Sequence, residues 1–165
     1  MKRAIQVILV VGAMVAVASL AAWGLAVWFL GPYIIWAPEG INVSAETPQS
    51  VQVGDSIEMT VRVRNDGPED RVLSAITIEM GFLMGFSVDG VEPSFTTSEP
   101  ATDYRVYRFD TPIPAGEVTP IRFSLRATGE GVGEGQSVRQ GRIEVQFEDE
   151  SRISQTTVST AVSEP

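Results

Sequence analysis

Between Arg3 and Glu39 the chain runs for 35 residues, Ala4 to Pro38, without a charged side chain, and 28 of them are hydrophobic. No other feature constrains the fold as strongly, because a stretch this apolar calls for a solvent other than water. A helix from Ala4 to Leu30 would be about 40 Å long at 1.5 Å per residue. A bilayer core needs about 20 apolar residues, so such a helix spans it with room to tilt. Gly31-Pro32 supplies the stop, since proline lacks an amide donor and restricts the residue before it. Trp28, Tyr33 and Trp36 then fall at the far interface, where amphipathic rings collect. The positive-inside rule keeps Lys2 and Arg3 in the cytoplasm and sends everything after Glu39 out of it.

A cleaved signal peptide is the competing reading. Lys2-Arg3 resembles a short n-region, and Ala16-Val17-Ala18 offers small residues for cleavage. The apolar run continues well beyond that point, which favours an uncleaved signal-anchor, and both readings export the C-terminal part. Small residues at Gly12/Ala16 and Ala18/Ala22/Ala26 have the spacing that lets membrane helices approach, so this face admits self-association or docking against another membrane helix. With no ionisable side chain between Ala4 and Leu30, an ion pathway through the helix is not expected. The predicted organisation is a cytoplasmic tip (1–3), an anchor and interfacial segment (4–36), a short linker (37–41) and an exported domain (42–165).

That domain is a different polymer. From Glu39 to Pro165 only 43 of 127 residues are hydrophobic, and 10 Arg stand against all 21 acidic residues, a net charge of -11 within a whole-chain value of -9. A surface this acidic does not hold nucleic acid, which needs clustered cations. The chain has no cysteine and no histidine. Disulfides, thiolate metal sites and cysteine nucleophiles are excluded, as are histidine general bases and ligands. Lys2 is the sole lysine and lies on the other side of the predicted membrane.

The hydrophobic period in the domain is two. Ile57, Met59, Val61 and Val63 alternate with Glu58, Thr60, Arg62 and Arg64. Ile121, Phe123, Leu125 and Ala127 alternate with Arg122, Ser124, Arg126 and Thr128, and Ile143, Val145 and Phe147 with Arg142, Glu144, Gln146 and Glu148. Such alternation means strands with one face on a core and one in water. Asn65-Asp66-Gly67-Pro68, Asp89-Gly90, Pro112 to Gly116 and Gly129-Glu130-Gly131 punctuate the runs as turns. Strands are predicted at 42–46, 50–53, 56–65, 72–81, 84–88, 103–110, 118–128, 138–149 and 152–162. The fold class is therefore all-β, an immunoglobulin-like antiparallel β-sandwich behind one N-terminal transmembrane helix.

Gly54-Asp55-Ser56 through Asn65-Asp66-Gly67 reads as a G-D-x-φ-x-φ-x-φ-x-φ-x-N-x-G strand and turn. It resembles the opening hairpin of the CARDB- and DUF11-like surface domains of bacteria and archaea, and Pro114-Ala115-Gly116-Glu117 before the Ile121–Ala127 strand is similar to their later part. The resemblance implies a sandwich used as a spacer, adhesion or interaction module, with no catalytic residues to carry over.

Few residues offer chemistry. Gly129 to Gly135 has phosphate-loop spacing, but Glu130 and Glu134 would repel an anion and strands flank it, so a loop is expected. Glu148-Asp149-Glu150 and the group Asp66, Glu69 and Asp70 are oxygen-rich, which admits calcium, yet neither follows the alternating pattern of a dedicated loop. Asn42-Val43-Ser44 is a formal glycosylation acceptor. Phe82-Leu83-Met84-Gly85-Phe86 breaks the alternation. It either folds over the end of the core or forms an apolar tip, and Phe82, Leu83, Met84 and Phe86 are the candidate partner-binding patch. The expected function is a non-catalytic, membrane-anchored interaction or accessory module without cofactor or metal, working beside another membrane or envelope protein. A calcium- or carbohydrate-dependent adhesion module is the alternative. A hydrolase built on carboxylates alone is a distant third.

Overall fold

The computed structural model describes residues 38–130, 136–148 and 152–164. The predicted anchor lies outside these residues, with its flanking Lys2 and Arg3, its interfacial Trp28, Tyr33 and Trp36, and its small-residue face. Among the described residues no helix is long and apolar enough to cross a membrane.

The alternating runs become strands β1 (Ile41–Glu46), β2 (Ser50–Gln52), β3 (Ser56–Asn65), β4 (Arg71–Glu79), β5 (Phe86–Glu92), β6 (Thr97–Pro100), β7 (Tyr104–Ile113), β8 (Val118–Ala127), β9 (Gln136–Phe147) and β10 (Ile153–Ser163), with one helical turn, α1 (Met80–Leu83), after β4. They build a four-stranded sheet in the order β1-β3-β8-β5 and a six-stranded sheet in the order β2-β10-β9-β4-β7-β6. Neighbours are antiparallel except β2, which lies parallel to the end of β10. Facing side chains of both sheets meet in one core. Met59, Val61 and Val63 of β3 with Ile121, Phe123 and Leu125 of β8 supply one wall, and Ile76 and Ile78 of β4 with Ile143, Val145 and Phe147 of β9 the other.

The sheets group their strands as an immunoglobulin sandwich does. With β1, β3, β8 and β5 in the places of A, B, E and D, and β10, β9, β4, β7 and β6 in those of G, F, C, C′ and C″, every neighbour agrees. The order of visits differs. After β4 the chain crosses to the D place, returns to C″ and only then lays down C′. The sandwich is thus immunoglobulin-like in its layers and not in its middle connections.

Several sequence expectations are adjusted at their edges. Ile41 is buried and opens β1, so it belongs to the sandwich rather than to a linker. Its amide reaches the Pro38 carbonyl, and the Gly40 carbonyl accepts from the Asp66 amide. The expected strand 72–81 stops at Glu79 and turns into α1, and the next begins at Phe86 rather than at Met84. The short β6 has no alternation to announce it and is read from pairing with β7 alone.

Both ends of the G-D-…-N-x-G stretch have a physical reason. Gly54 has φ +95, in the left-handed region that favours glycine. Its amide donates to the Ala127 carbonyl, while Ala127 donates to that of Asp55, which clamps the start of β3 to the end of β8. At the other end Asn65 is fully buried. Its Nδ2 donates to the carbonyls of Glu69 at 2.8 Å and Ile113 at 3.0 Å, and its Oδ1 accepts from the Gly67 amide at 3.0 Å. Its main chain pairs with Glu117 and Gly116. One side chain therefore knits together the loops after β3 and after β7.

Candidate functional site

The expected patch over Phe82, Leu83, Met84 and Phe86 is corrected by burial. Phe82 is 0%, Leu83 5% and Phe86 7% exposed, while Met84 is 45% exposed. The α1 turn points its rings into the core, where Phe82 and Phe86 pack with centroids 5.1 Å apart. Glycine at 141 makes this fit, since a Cβ there would stand 2.7 Å from Phe82 Cβ. The segment closes the end of the sandwich, and only Met84 is left for a partner.

The acidic turns are used by the fold. Asp66 accepts from Arg64 Nε at 2.6 Å and Asn42 Nδ2 at 2.7 Å, and Asp70 accepts from the Ala115 amide at 2.9 Å. No group of three or more acidic side chains gathers for a metal among the described residues. Asp149 and Glu150 lie outside them, as does the glycine loop from Gly131 to Gly135.

Pairing of β3 with β8 brings together what the sequence keeps apart. The outward residues of these strands place Arg62, Arg64, Arg122 and Arg126 on one face of the four-stranded sheet, with carboxylates around them. Arg62 meets Glu46 at 2.9 Å, Arg126 meets Asp89 at 3.2 Å, and Arg122 lies 3.8 Å from Glu58 and 3.6 Å from Glu92. Hydrogen bonding from Arg62 holds the Glu46 carboxyl below its ordinary value, and Arg64 with Asn42 does the same for Asp66. The four guanidinium groups face five carboxylates, so the face is close to neutral within a strongly acidic domain. It carries a depression of about 180 Å³ lined by Asn42, Val43, Ser44, Arg62, Arg64 and Val118. Ligand pockets usually exceed about 300 Å³. A surface of this shape suits contact with another macromolecule better than enclosure of a small substrate.

The outer face of the six-stranded sheet has its own polar knot. Arg142 donates through Nη2 to Tyr104 Oη at 2.7 Å, lies 3.2 Å from Glu144 Oε1, and donates its amide to Glu79 Oε2 at 2.8 Å. Gln155 adds a hydrogen bond to Glu144. Each member meets a neighbour within the sheet, which makes the knot a brace across β4, β7, β9 and β10.

No protein family and no curated protein matches the sequence. Solved structures match the fold. A cohesin module of a Clostridium perfringens family 33 glycoside hydrolase superposes with a TM-score of 0.53 at 14% identity, covering 76% of this chain and 98% of that one. AvmM, which catalyses macrocyclization in alchivemycin A biosynthesis, superposes with a TM-score of 0.52 at 13% identity, covering 78% and 92%. The CARDB domain of a Pyrococcus furiosus protein covers 79% and 93% at 14% identity, with a TM-score of 0.40. At these identities the likeness establishes the β-sandwich and nothing of its chemistry. One architecture serves both a macrocyclizing enzyme and a cohesin module, so the fold by itself assigns no function.

Proposed function

We propose that this chain is a membrane-anchored, exported β-sandwich that acts without catalysis as an interaction or accessory module close to the bilayer. The observation that carries the reading is the division of the sequence into two solvents. The uncharged run Ala4–Pro38 is followed within three residues by Ile41, the first core residue of a complete two-sheet domain. Support for a non-catalytic role comes from the side chains themselves. Histidine and cysteine are missing. The five outward carboxylates of the four-stranded sheet each lie beside an arginine rather than beside one another, so no paired acid and base is assembled there. Among the described surfaces, the near-neutral face around Arg62 and Arg64 is the one best suited to meet an envelope protein, since charge repulsion by the acidic domain is weakest there.

Fractionation tests the anchor. The full-length chain is expected to stay in the membrane pellet after alkaline carbonate washing, and a variant lacking residues 4–36 to be released as a folded domain. Recovery of the full-length chain in the wash would sink the anchored reading. Crosslinking in the native membrane tests the module: an envelope protein captured by wild type and lost on joint Arg62→Glu and Arg64→Glu substitution supports it, and capture unaffected by that change moves the interface elsewhere.

A further inference from the structure

The edge strand β2 covers only the end of its neighbour. Ser50, Val51 and Gln52 pair with Ala161, Val162 and Ser163, and the pairing reaches no further back along β10. The Gln49 carbonyl accepts from the Ala161 amide, and the Ser163 carbonyl accepts from the Val53 amide. Odd-numbered residues of β10 therefore aim their main-chain groups at this edge, and even-numbered ones aim theirs at β9. Gln155, Thr157 and Ser159 share the phase of Ala161. Among the described residues, their main-chain amides and carbonyls meet no partner.

Folded proteins usually blunt an open edge of this kind. Here β1 ends on the charged Glu46, β5 shifts register around Asp89, and β6 is four residues closed by Pro100. From Ile153 to Ser159, β10 uses none of these devices. It carries no charge, proline or glycine, and it pairs with β9 without a register shift. Ile, Thr and Val hold it extended. Gln155, Thr157 and Ser159 are exposed.

The surroundings specify what fits. In β2 the buried Val51 stands between exposed Ser50 and Gln52, so a strand beside β10 turns alternate side chains to the core. On the same flank β1 runs near β10, and the Thr160 hydroxyl bonds to that of Thr47 just past the end of β1 at 3.0 Å. Val43 and Ala45 of β1 are only half-buried against the core, which leaves apolar surface for inward side chains to cover. Charge sets the rest. Acidic residues outnumber arginines 21 to 10 from Glu39 onward, so a cationic segment is attracted and an acidic one repelled. We propose that the edge of β10 from Ile153 to Ser159 takes an extended segment of a partner protein as an added strand, with apolar side chains at alternate positions and lysine or arginine in place of carboxylates. Main-chain hydrogen bonds give such a contact its affinity, and the alternate side chains its selectivity. The edge belongs to the six-stranded sheet, and it depends neither on the Arg62 and Arg64 face nor on the anchor.

The test uses the full-length chain in detergent, with its main-chain amides followed by NMR. The probe is a blocked heptapeptide, Lys-Val-Thr-Val-Thr-Val-Lys. It is expected to shift the Gln155, Thr157 and Ser159 amides saturably and to slow their hydrogen exchange. Two control peptides carry N-methyl groups, one on its valines and the other on its threonines. Only one alternating set of amides in an added strand faces β10, so one control is expected to bind like the parent and the other to fail. Thr157→Pro removes an edge donor and leaves the bonds to β9 in place. It is expected to melt close to wild type and to bind the parent peptide about tenfold more weakly. Joint Arg62→Glu and Arg64→Glu substitution is expected to retain peptide binding, which separates this edge from the other face. Equal binding of both N-methylated controls to wild type overturns the added strand whatever the proline variant does. The absence of a saturable shift at about 1 mM peptide overturns it too. A wild-type dimer that Thr157→Pro abolishes gives the edge to a second copy and overturns the partner segment.

Discussion

Asn65 shows how much one polar side chain can decide. It is fully buried, and each of its amide atoms serves a different loop carbonyl or amide. Replacing it with alanine leaves those groups unpaired in a dry site, so Asn65→Ala is expected to lose about 2–4 kcal/mol, read as a lower urea midpoint with an unchanged slope. Asn65→Asp keeps the acceptor for Gly67 but sets a carboxylate oxygen against the Glu69 and Ile113 carbonyls in a buried site, and is expected to destabilise at least as much as the alanine variant at neutral pH. Tyr107 sets a limit at alkaline pH. Its pKa is raised in the folded state by burial, so its contribution is intact below the ordinary tyrosine value of 10.0 and is lost as pH rises through the folded one. Tyr107→Phe is expected to push the alkaline unfolding limit upward, followed by circular dichroism against pH. Glu46 and Asp66 act in the opposite direction. Their carboxyls are lowered by Arg62 and Arg64, so their ion pairs stabilise above the ordinary values of 4.5 and 3.8 and disappear as pH falls through the lowered ones. Both are exposed, and added salt weakens them further.

At the scale of elements, the passage from β4 through α1 to β5 is where local pattern and tertiary packing part company. Phe82, Leu83 and Phe86 read in sequence as apolar residues out of register, which fits a tip or a plug equally well. Gly141, on β9 and far along the chain, decides for the plug by leaving room for Phe82. Gly141→Ala is expected to cost about 1–3 kcal/mol by overpacking, and Phe82→Ala about 3–5 kcal/mol by cavity formation. Met84→Ala, on the exposed side of the same turn, should stay within about 0.5 kcal/mol. Thermal melts of the three variants check this ordering, and equal losses at Met84 and Phe82 would return the segment to the surface. The edge strands are also managed. β2 has three residues, β6 ends at Pro100, and β5 carries a register shift around the exposed Asp89. Short, kinked or charged edges discourage pairing with another chain.

Over the whole described domain, the two sheets share one core, and neither has an apolar interior without the other. Unfolding is therefore expected as a single transition, with near- and far-ultraviolet circular dichroism coinciding along a urea titration. Two separated transitions would mean that one sheet persists without its partner. The charge is as uneven as the core is unified. The four-stranded face holds four arginines against five carboxylates, and the remaining acidic excess is spread over the rest of the domain.

The sequence by itself determined what depends on neighbours along the chain. Period-two alternation places Met59, Val61 and Val63 on one side of a strand and Arg62 and Arg64 on the other, because successive side chains of a strand point oppositely. Turn residues such as Gly54 and the Asn65-Asp66-Gly67 corner likewise act through local backbone geometry. The uncharged run Ala4–Pro38 marks a change of solvent by composition alone. What only the tertiary structure decided depends on residues distant in the chain. Strand order brought Arg122 and Arg126 beside Arg62, an adjacency no periodicity encodes. Packing against Gly141 took Phe82 inside. The register of β7 turned Arg105 toward the core, where alternation with Tyr107 and Phe109 outweighed the preference of a guanidinium for water. That conflict between a local pattern and a residue's own solvation is resolved only in three dimensions.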